Sequence, residues 1–315
     1  MTEPAASVIV LNWNGRALLP ACLDALAAQR YRDFETLVVD NGSTDGSLEL
    51  LASCPAIRVL ALGENVGFAA GNNRGIEAST GRFVILLNND TEADPDFVGA
   101  LVAAAEAHPE AGLCASRMLR LDDRARIDSA GLGLTLAGTG YPIGAGRLDG
   151  PAFRRPGWVF GACAGAALYR RAMLEHIGGL DEEFFSHVED TDLSFRAQLA
   201  GYRCRYVPEA VVYHLGGASS RRVRRDVLYR IQRNLTWAFL KDAPPGMLLA
   251  LLPLHLAHAA LWLGRAARAG EADAVWQAKR DVARGLASLR ARRVSVQALR
   301  RRSSLELLRQ ITLWR

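Results

Sequence analysis

Short apolar runs alternate with helical periodicity through the first hundred residues, and each run ends in a polar cluster. Ser7-Val8-Ile9-Val10-Leu11 reads as a strand closed by the turn Asn12-Trp13-Asn14-Gly15, after which Leu18, Leu19, Leu23 and Leu26 mark a helix face. Thr36-Leu37-Val38-Val39 predicts a second strand, stopped by Asp40-Asn41-Gly42-Ser43-Thr44-Asp45-Gly46. Ile57-Arg58-Val59-Leu60 predicts a third, followed by Glu64-Asn65-Val66-Gly67 and a helix through about Ser79. The fourth, Phe83-Val84-Ile85-Leu86-Leu87, breaks off at Asn88-Asn89-Asp90-Thr91-Glu92. Asp94-Pro95 predicts a helix start, with Asp as cap and Pro at the first helical position, and His108-Pro109 its end. This order predicts an α/β fold with a parallel sheet wrapped by helices. Its polar loops lie at the carboxyl ends of the strands, where open α/β sheets bind ligands.

Residues 119–156 are rich in Gly and Arg with little periodicity, and predict loops and short strands. Apolar density returns over residues 161–220, and from Arg221 the chain turns to Arg, Ala and Leu at helical spacing. Residues 246–264 carry no charged side chain, but Pro253 argues against one continuous membrane span. Val275, Val282, Leu286 and Leu289 predict one helix face, with Lys279, Arg280, Arg284 and Arg290 elsewhere; Leu305, Leu308 and Ile311 repeat the idea beside Arg309 and Arg315.

The bulk properties narrow the class. A chain of 315 residues suggests two domains, or one large α/β domain with an appendage, and a half-hydrophobic composition excludes a disordered chain. Five scattered cysteines with no CxxC pair argue against a disulfide framework or zinc site and fit a reducing cytoplasm. No basic start followed by an apolar stretch appears at the N-terminus, so no signal peptide is expected. The net charge of +5 is unevenly spread: residues 265–315 hold thirteen Lys/Arg against four Asp/Glu, which leaves −4 on the first 264 residues. A basic tail on a mildly acidic body points to an anionic partner. No nucleic-acid-binding signature is present, and basic amphipathic helices with Trp262, Trp276 and Trp314 suit an anionic bilayer surface. A helical cap packed on the body, or a dimer interface, would show the same pattern.

Two polar constellations carry the candidate chemistry. Asp40 and Asp90 each follow a buried strand: a carboxylate at such a position can accept the imide N–H of uracil or thymine, or hold a hard cation carrying phosphate oxygens. Turns that merely end strands look alike. No G-x-x-x-x-G-K-[ST] loop is present, and Gly67-Phe68-Ala69-Ala70-Gly71 does not match G-x-G-x-x-G. In the second constellation, 181–193, Ser186 and Glu189 form a capping-box pattern that predicts a helix running to Ala200 and stopping at Gly201. Asp190 then sits in the first turn, where the helix dipole favours the ionised form and a carboxylate can accept a proton from an attacking hydroxyl. An acidic first turn is also common in ordinary helices. His214, ending the stretch Val211-Val212-Tyr213, is either a packing residue or a further metal ligand.

Taken in order, these motifs, with Gly178-Gly179-Leu180-Asp181-Glu182 and Glu189-Asp190-Thr191-Asp192-Leu193, resemble family 2 glycosyltransferases over roughly residues 5–240. The rhamnosyltransferase-type branch is the most similar. The resemblance implies a GT-A fold with a basic helical C-terminal appendage, a nucleotide-sugar donor and inversion at the anomeric carbon. It implies a catalytic domain over 1–240 (1–117 the nucleotide-sugar half, 118–240 the acceptor half) and a basic amphipathic region over 241–315. Asp40 would hold the base, among a donor set of Leu11, Asn12, Asn14, Asp40, Asn41, Asn65, Gly67, Asn72, Asn89 and Asp90. Asp90 and His214 would hold Mg²⁺ or Mn²⁺, Asp190 would be the general base, and Glu189, Asp192 and Gly161 would face the acceptor. Two departures stand out: Asn88 fills the first acidic slot of the DxD pattern, and Asn72 stands where many relatives carry an arginine. The expected acceptor is lipid-linked or a polysaccharide, with the enzyme cytoplasmic and peripheral on the inner face of the plasma membrane. Alternatives are another donor (UDP-galactofuranose or UDP-N-acetylglucosamine), a sugar-nucleotide nucleotidyltransferase, or a catalytically dead binding module.

Overall fold

A computed structural model describes residues 3–55, 57–216 and 224–311. The predicted alternation is present at the start: β1 (Ala6–Asn12), α1 (Leu19–Ala27), β2 (Phe34–Asp40), α2 (Ser47–Ala52), β3 (Arg58–Ala61), α3 (Phe68–Ala78) and β4 (Phe83–Asn88). A short β5 (Thr91–Ala93) precedes α4 (Phe97–Ala107). That helix begins two residues beyond the predicted Asp94-Pro95 start, because the Asp94 carboxylate accepts from the Asp96 N–H and holds a turn there.

Next come β6 (Ala111–Arg120), β7 (Ile127–Ser129), β8 (Leu132–Leu134), β9 (Gly140–Pro142), β10 (Gly157–Val159), β11 (Ala166–Arg170) and α5 (Arg171–Ile177). After α6 (Glu189–Leu199) and β12 (Arg203–His214) the chain is helical: α7 (Arg224–Asp242), α8 (Pro245–Arg268), α9 (Ala272–Arg284), α10 (Leu286–Ala298) and α11 (Ser304–Leu308).

Among the described residues the main sheet has ten strands, in the order β10-β12-β6-β11-β4-β1-β2-β3, with β5 beside β12 and β7 beside β6. The strands β3, β2, β1 and β4 are parallel, as predicted. Beyond β4 the wholly parallel expectation fails: β11 enters antiparallel between β4 and β6. A buried strand is an apolar run whichever way it points, so Ala166-Ala167-Leu168-Tyr169 did not encode its direction. One sheet face packs on α1 and α4 through Leu19, Leu23, Phe97 and Leu101; the other packs on α5 and α6 through Met173, Ile177, Leu193 and Ala197.

The C-terminal helices pack against the body: Phe195 and Leu199 of α6 share a buried cluster with Phe239, Met247, Leu251, Val296 and Leu307. Pro253 does not divide α8; it sits on the exposed side, where its missing N–H removes one intrahelical bond, the one to the Leu249 carbonyl. The helix is long and apolar enough to cross a membrane by length and composition, yet Met247, Leu251 and His255 are buried against protein. The single face predicted through Val275, Val282, Leu286 and Leu289 is broken at Gly285, which leaves Leu286 exposed while Val275, Val282 and Leu289 are buried. In the last helix it is Leu307 that is fully buried, whereas Leu305 is exposed. Trp314 and Arg315, named with the basic face, lie outside the described residues, as do residues 217–223.

Candidate active site

The strand ends of β1, β2 and β4 meet the start of α6 and the flank of α7 around a cleft of about 550 Å³. Leu11, Asn41, Asn65, Gly67, Asn89, Asp90, Glu189, Asp190 and His214 line it, which brings together most of the residues singled out from the sequence.

The first wall is a network of amides. Asn41 accepts from the Val66 N–H at 3.0 Å and donates to Asn65 Oδ1 at 3.1 Å and to the Gly67 carbonyl at 3.2 Å. Asn89 donates to Asn12 Oδ1 at 2.8 Å, a contact that depends on Gly15, since a Cβ there would lie 2.1 Å from the Asn89 amide. Asp40 does not reach the cleft. It is fully buried, its oxygens taken by the Asn12 amide and the Ser43 N–H, each at 3.0 Å. Asn14 binds Ser43 and Thr44 at the exposed rim, and Asn72 is buried with its amide on the Phe68 carbonyl. Asp40, Asn12, Asn14 and Asn72 therefore brace this wall without facing the cleft.

His214 stands at the end of β12 between two carboxylates. Its Nδ1 is 2.8 Å from Asp128 Oδ2 and its Nε2 is 3.2 Å from Asp90 Oδ1, with the Asn88 amide 3.3 Å from the same nitrogen. Burial alone would lower the imidazole's pKa, but the bonds to Asp128 and Asp90 outweigh it and hold it up at about 9. Among the described residues no three His, Cys, Asp or Glu side chains converge on one point. A divalent cation that displaced the Nε2 proton would find one carboxylate oxygen and one imidazole nitrogen on the cleft wall, and would complete its shell with diphosphate oxygens and water.

Opposite stand Glu189 and Asp190. The predicted capping box is absent: α6 starts at Glu189 with Val188 in the left-handed region as its N-cap and no side-chain cap. Asp190 lies in the first turn as predicted, with Oδ1 on the Thr191 N–H at 2.6 Å and Oδ2 on the Ala164 N–H at 3.4 Å. The dipole does not set its acidity. Burial pushes Asp190 above the usual carboxylate range despite these bonds, and burial together with the Asp190 charge pushes Glu189 up to about 8.

Two residues expected on the acceptor side lie elsewhere. Asp192 is fully buried on the far face of α6, paired with Arg196 at 2.8 Å and with Lys241, because one residue pair along a helix turns the side chain to the other side. Gly161 is also buried; its missing side chain makes room for Ser194, whose Cβ would be 2.3 Å from a Cβ there.

Several cleft residues escaped the sequence reading. Trp13 is exposed in the mouth, a flat apolar surface in a polar loop. Asp226, Val227 and Arg230 come from α7, and Arg230 stacks on Phe185, 4.0 Å from the ring centroid. Asp128 comes from the stretch without periodicity and offered no pattern to find it. In α7 the signal was a poor helix former, Asn234, in mid-helix.

With this geometry in hand, comparison with known proteins is specific. Residues 7–178 match the family model described as Glycosyl transferase family 2. The chain is 30% identical over 266 residues, 76% of its length and 85% of the relative's, to N-acetylglucosaminyl-diphospho-decaprenol L-rhamnosyltransferase of Mycobacterium tuberculosis. It resembles the structure of S. aureus TarS 1-349 in complex with UDP-GlcNAc with a TM-score of 0.61 at 17% identity, covering 98% of this chain and 93% of that one. It also resembles a mannosyltransferase from Pyrobaculum calidifontis in complex with GDP-Man and Mn²⁺, with a TM-score of 0.56 at 22% identity, covering 95% and 86%. The mixed α/β sheet, the cleft at its strand ends and these likenesses agree, and the chain belongs to glycosyl transferase family 2, a GT-A-fold transferase of rhamnosyltransferase-like type.

Proposed function

We propose that the protein is an inverting glycosyltransferase that moves rhamnose from a nucleotide-linked donor to a lipid-linked or polysaccharide acceptor in cell-envelope glycan synthesis. The observation that carries this reading is Asp190, a half-buried carboxylate of raised pKa on the cleft wall opposite Asp90 and His214. The rhamnosyltransferase likeness supports the donor, and the diphospho-decaprenol in that relative's name supports the acceptor.

In this mechanism the nucleoside lies against Leu11, Asn41 and Asn65, with Asp40 bracing Asn12 behind them. Asp190 takes the proton from an acceptor hydroxyl as that oxygen attacks the anomeric carbon on the face opposite the diphosphate. The C–O bond to the diphosphate breaks and the configuration inverts. Asp90 and His214 would hold Mg²⁺ or Mn²⁺, which supplies positive charge to the departing nucleoside diphosphate. Glu189, beside Asp190, shapes the acceptor side. In this reading residues 1–240 form the catalytic unit, split near 117 into donor and acceptor halves, and 241–315 form a helical region that meets an anionic membrane from the cytoplasmic side. The exposed Leu249, Leu254, Leu256 and Leu261 of α8 support that contact.

The test is a donor screen with purified protein, reading nucleoside diphosphate release with a polyprenyl-diphosphate sugar as acceptor. Release from dTDP-rhamnose alone is expected. Turnover confined to UDP-galactofuranose or UDP-N-acetylglucosamine would replace the donor, and release of inorganic diphosphate from sugar phosphates and nucleoside triphosphates would replace the reaction class.

A further inference from the structure

The backbone just before Asp190 is bent in a way side chains resist. Phe185, His187 and Val188 have φ of 60°, 69° and 73°, and apart from Asn14 they are the non-glycine residues with positive φ among the described residues. For β-branched Val188 this conformation is a true outlier, and strain of this kind persists only where the surroundings impose it.

What imposes it comes from two helices outside the segment. The Ala69 N–H of α3 donates to the Phe185 carbonyl at 3.1 Å, and Gly67 lets the Phe185 ring close in, since a Cβ there would lie 2.6 Å from it. From α7, Arg233 donates to the Glu183 carbonyl at 2.6 Å, and the Asn234 amide reaches the carbonyls of Phe184, Ser186 and His187 at 3.0, 3.0 and 2.7 Å. Every carbonyl from Glu183 to His187 thus lies within hydrogen-bond distance of an external donor, the two amide hydrogens of Asn234 being shared among three of them. Asn234 is fully buried, and its own Oδ1 is fixed by Arg233 Nε at 2.9 Å.

We propose that Asn234 is a positioning residue: its amide clasps the left-handed segment 184–188 and so holds Glu189 and Asp190 at the cleft. The inference rests on the transferase reading only for its kinetic readout. It makes α7 part of the active-site assembly, although this helix lies beyond the stretch that matches the family model.

The experiment compares wild type, Asn234→Ala, Val188→Gly and the double variant, with Asn234→Ser as a substitute that keeps one donor should Asn234→Ala not fold. Asn234→Ala should retain nucleoside diphosphate affinity while kcat falls ~10²-fold, the scale of a misplaced catalytic group. Amide exchange over residues 183–189 should accelerate while the central strands keep their protection. Glycine accepts positive φ without strain, so Asn234→Ala should cost less in the Val188→Gly background than in wild type. Wild-type exchange over 183–189, equal cost in both backgrounds, or loss of nucleotide affinity in step with kcat would each overturn the proposal. If the wild type turned over no nucleotide sugar, the transferase reading would fail, and the exchange data would still decide the role of Asn234.

Discussion

Asp128 Oδ2 lies 2.8 Å from His214 Nδ1, which leaves Nε2 of the same ring directed at Asp90. A carboxylate behind an imidazole fixes its tautomer and raises its basicity as a ligand, and removing such a partner typically costs ~10–100-fold in metal affinity. Asp128→Ala should therefore weaken Mn²⁺ binding by about that factor, read by spin-resonance titration with nucleoside diphosphate present. EDTA should stop turnover and Mg²⁺ or Mn²⁺ restore it. Unchanged Mn²⁺ affinity would leave Asp128 a bystander.

Replacing Asp190 by Asn preserves its shape and removes the carboxylate proposed as the proton acceptor. Base catalysis commonly contributes ~10²–10⁴-fold, so kcat should fall by that much while nucleotide affinity, measured by calorimetry, stays within about threefold. Retained turnover would remove Asp190 as base.

The pH profile follows from the crowding of Glu189 and Asp190. A base must be ionised, and burial pushes Asp190 up, so kcat/KM should fall on acidification above the ordinary carboxylate range of ~4. The two titrate as a pair. Glu189 is pushed up to about 8 by burial and the Asp190 charge, so Glu189→Gln mimics its protonated form: the step near 8 should disappear while the acid limb set by Asp190 stays in place. An acid limb that shifted in this variant would show that Glu189 is charged where Asp190 titrates.

On the inner face of α6 the signs reverse. Burial would raise Asp192, but Lys241 and Arg196 overcome it and hold the carboxyl down at about 2. Its stabilisation is fully present above the unfolded value of ~3.9 and is lost as the pH falls toward the folded one. Asp192→Asn leaves the Arg196 guanidinium buried without its carboxylate and Lys241 with Asp181 alone, and should cost about 3–5 kcal/mol near neutrality by denaturant unfolding. A cost below about 1 kcal/mol would show the network to be expendable.

Membrane attachment can be separated from folding. Truncation before α8 would strip Met247, Leu251 and Leu307 from a shared core, so it would confound the two. Exchanging the exposed Leu249, Leu256 and Leu261 for Glu leaves that core intact. The triple variant should lose co-flotation with anionic liposomes at unchanged melting temperature, and undiminished flotation would rule out α8 as the contact.

The parallel part of the sheet was legible because strands buried on both faces write themselves as apolar runs with polar ends: β1, β2 and β4 and the loops after them needed no other information. Asp90 and His214 were found the same way, Asp190 by its place in an acidic first turn, and the roles expected of all three came from the family resemblance. What the pattern could not carry were relationships made across the chain. The direction of β11 depends on a long connection, and Asp128 matters only because β12 ends beside it. Ser186 and Glu189 spelled a helix cap, but the carbonyls around Ser186 are held by Asn234, 48 residues from Ser186 in the chain, so the cap never forms. Lys279 was read as lying off the apolar face of its helix; it donates to the Gln232 carbonyl at 2.9 Å and to Thr236 Oγ1 at 2.8 Å, and burial lowers its pKa to about 8.

The inward use of basic residues extends to α10. Arg292 pairs with Asp181 at 2.6 Å, and Arg293 donates to the Leu240 and Ala243 carbonyls at 2.7 Å each, closing the end of the helix that carries Asn234. Both arginines follow every cleft residue in chain order, so a nascent chain holds the whole lining of its cleft before the side chains that close off α7 are made.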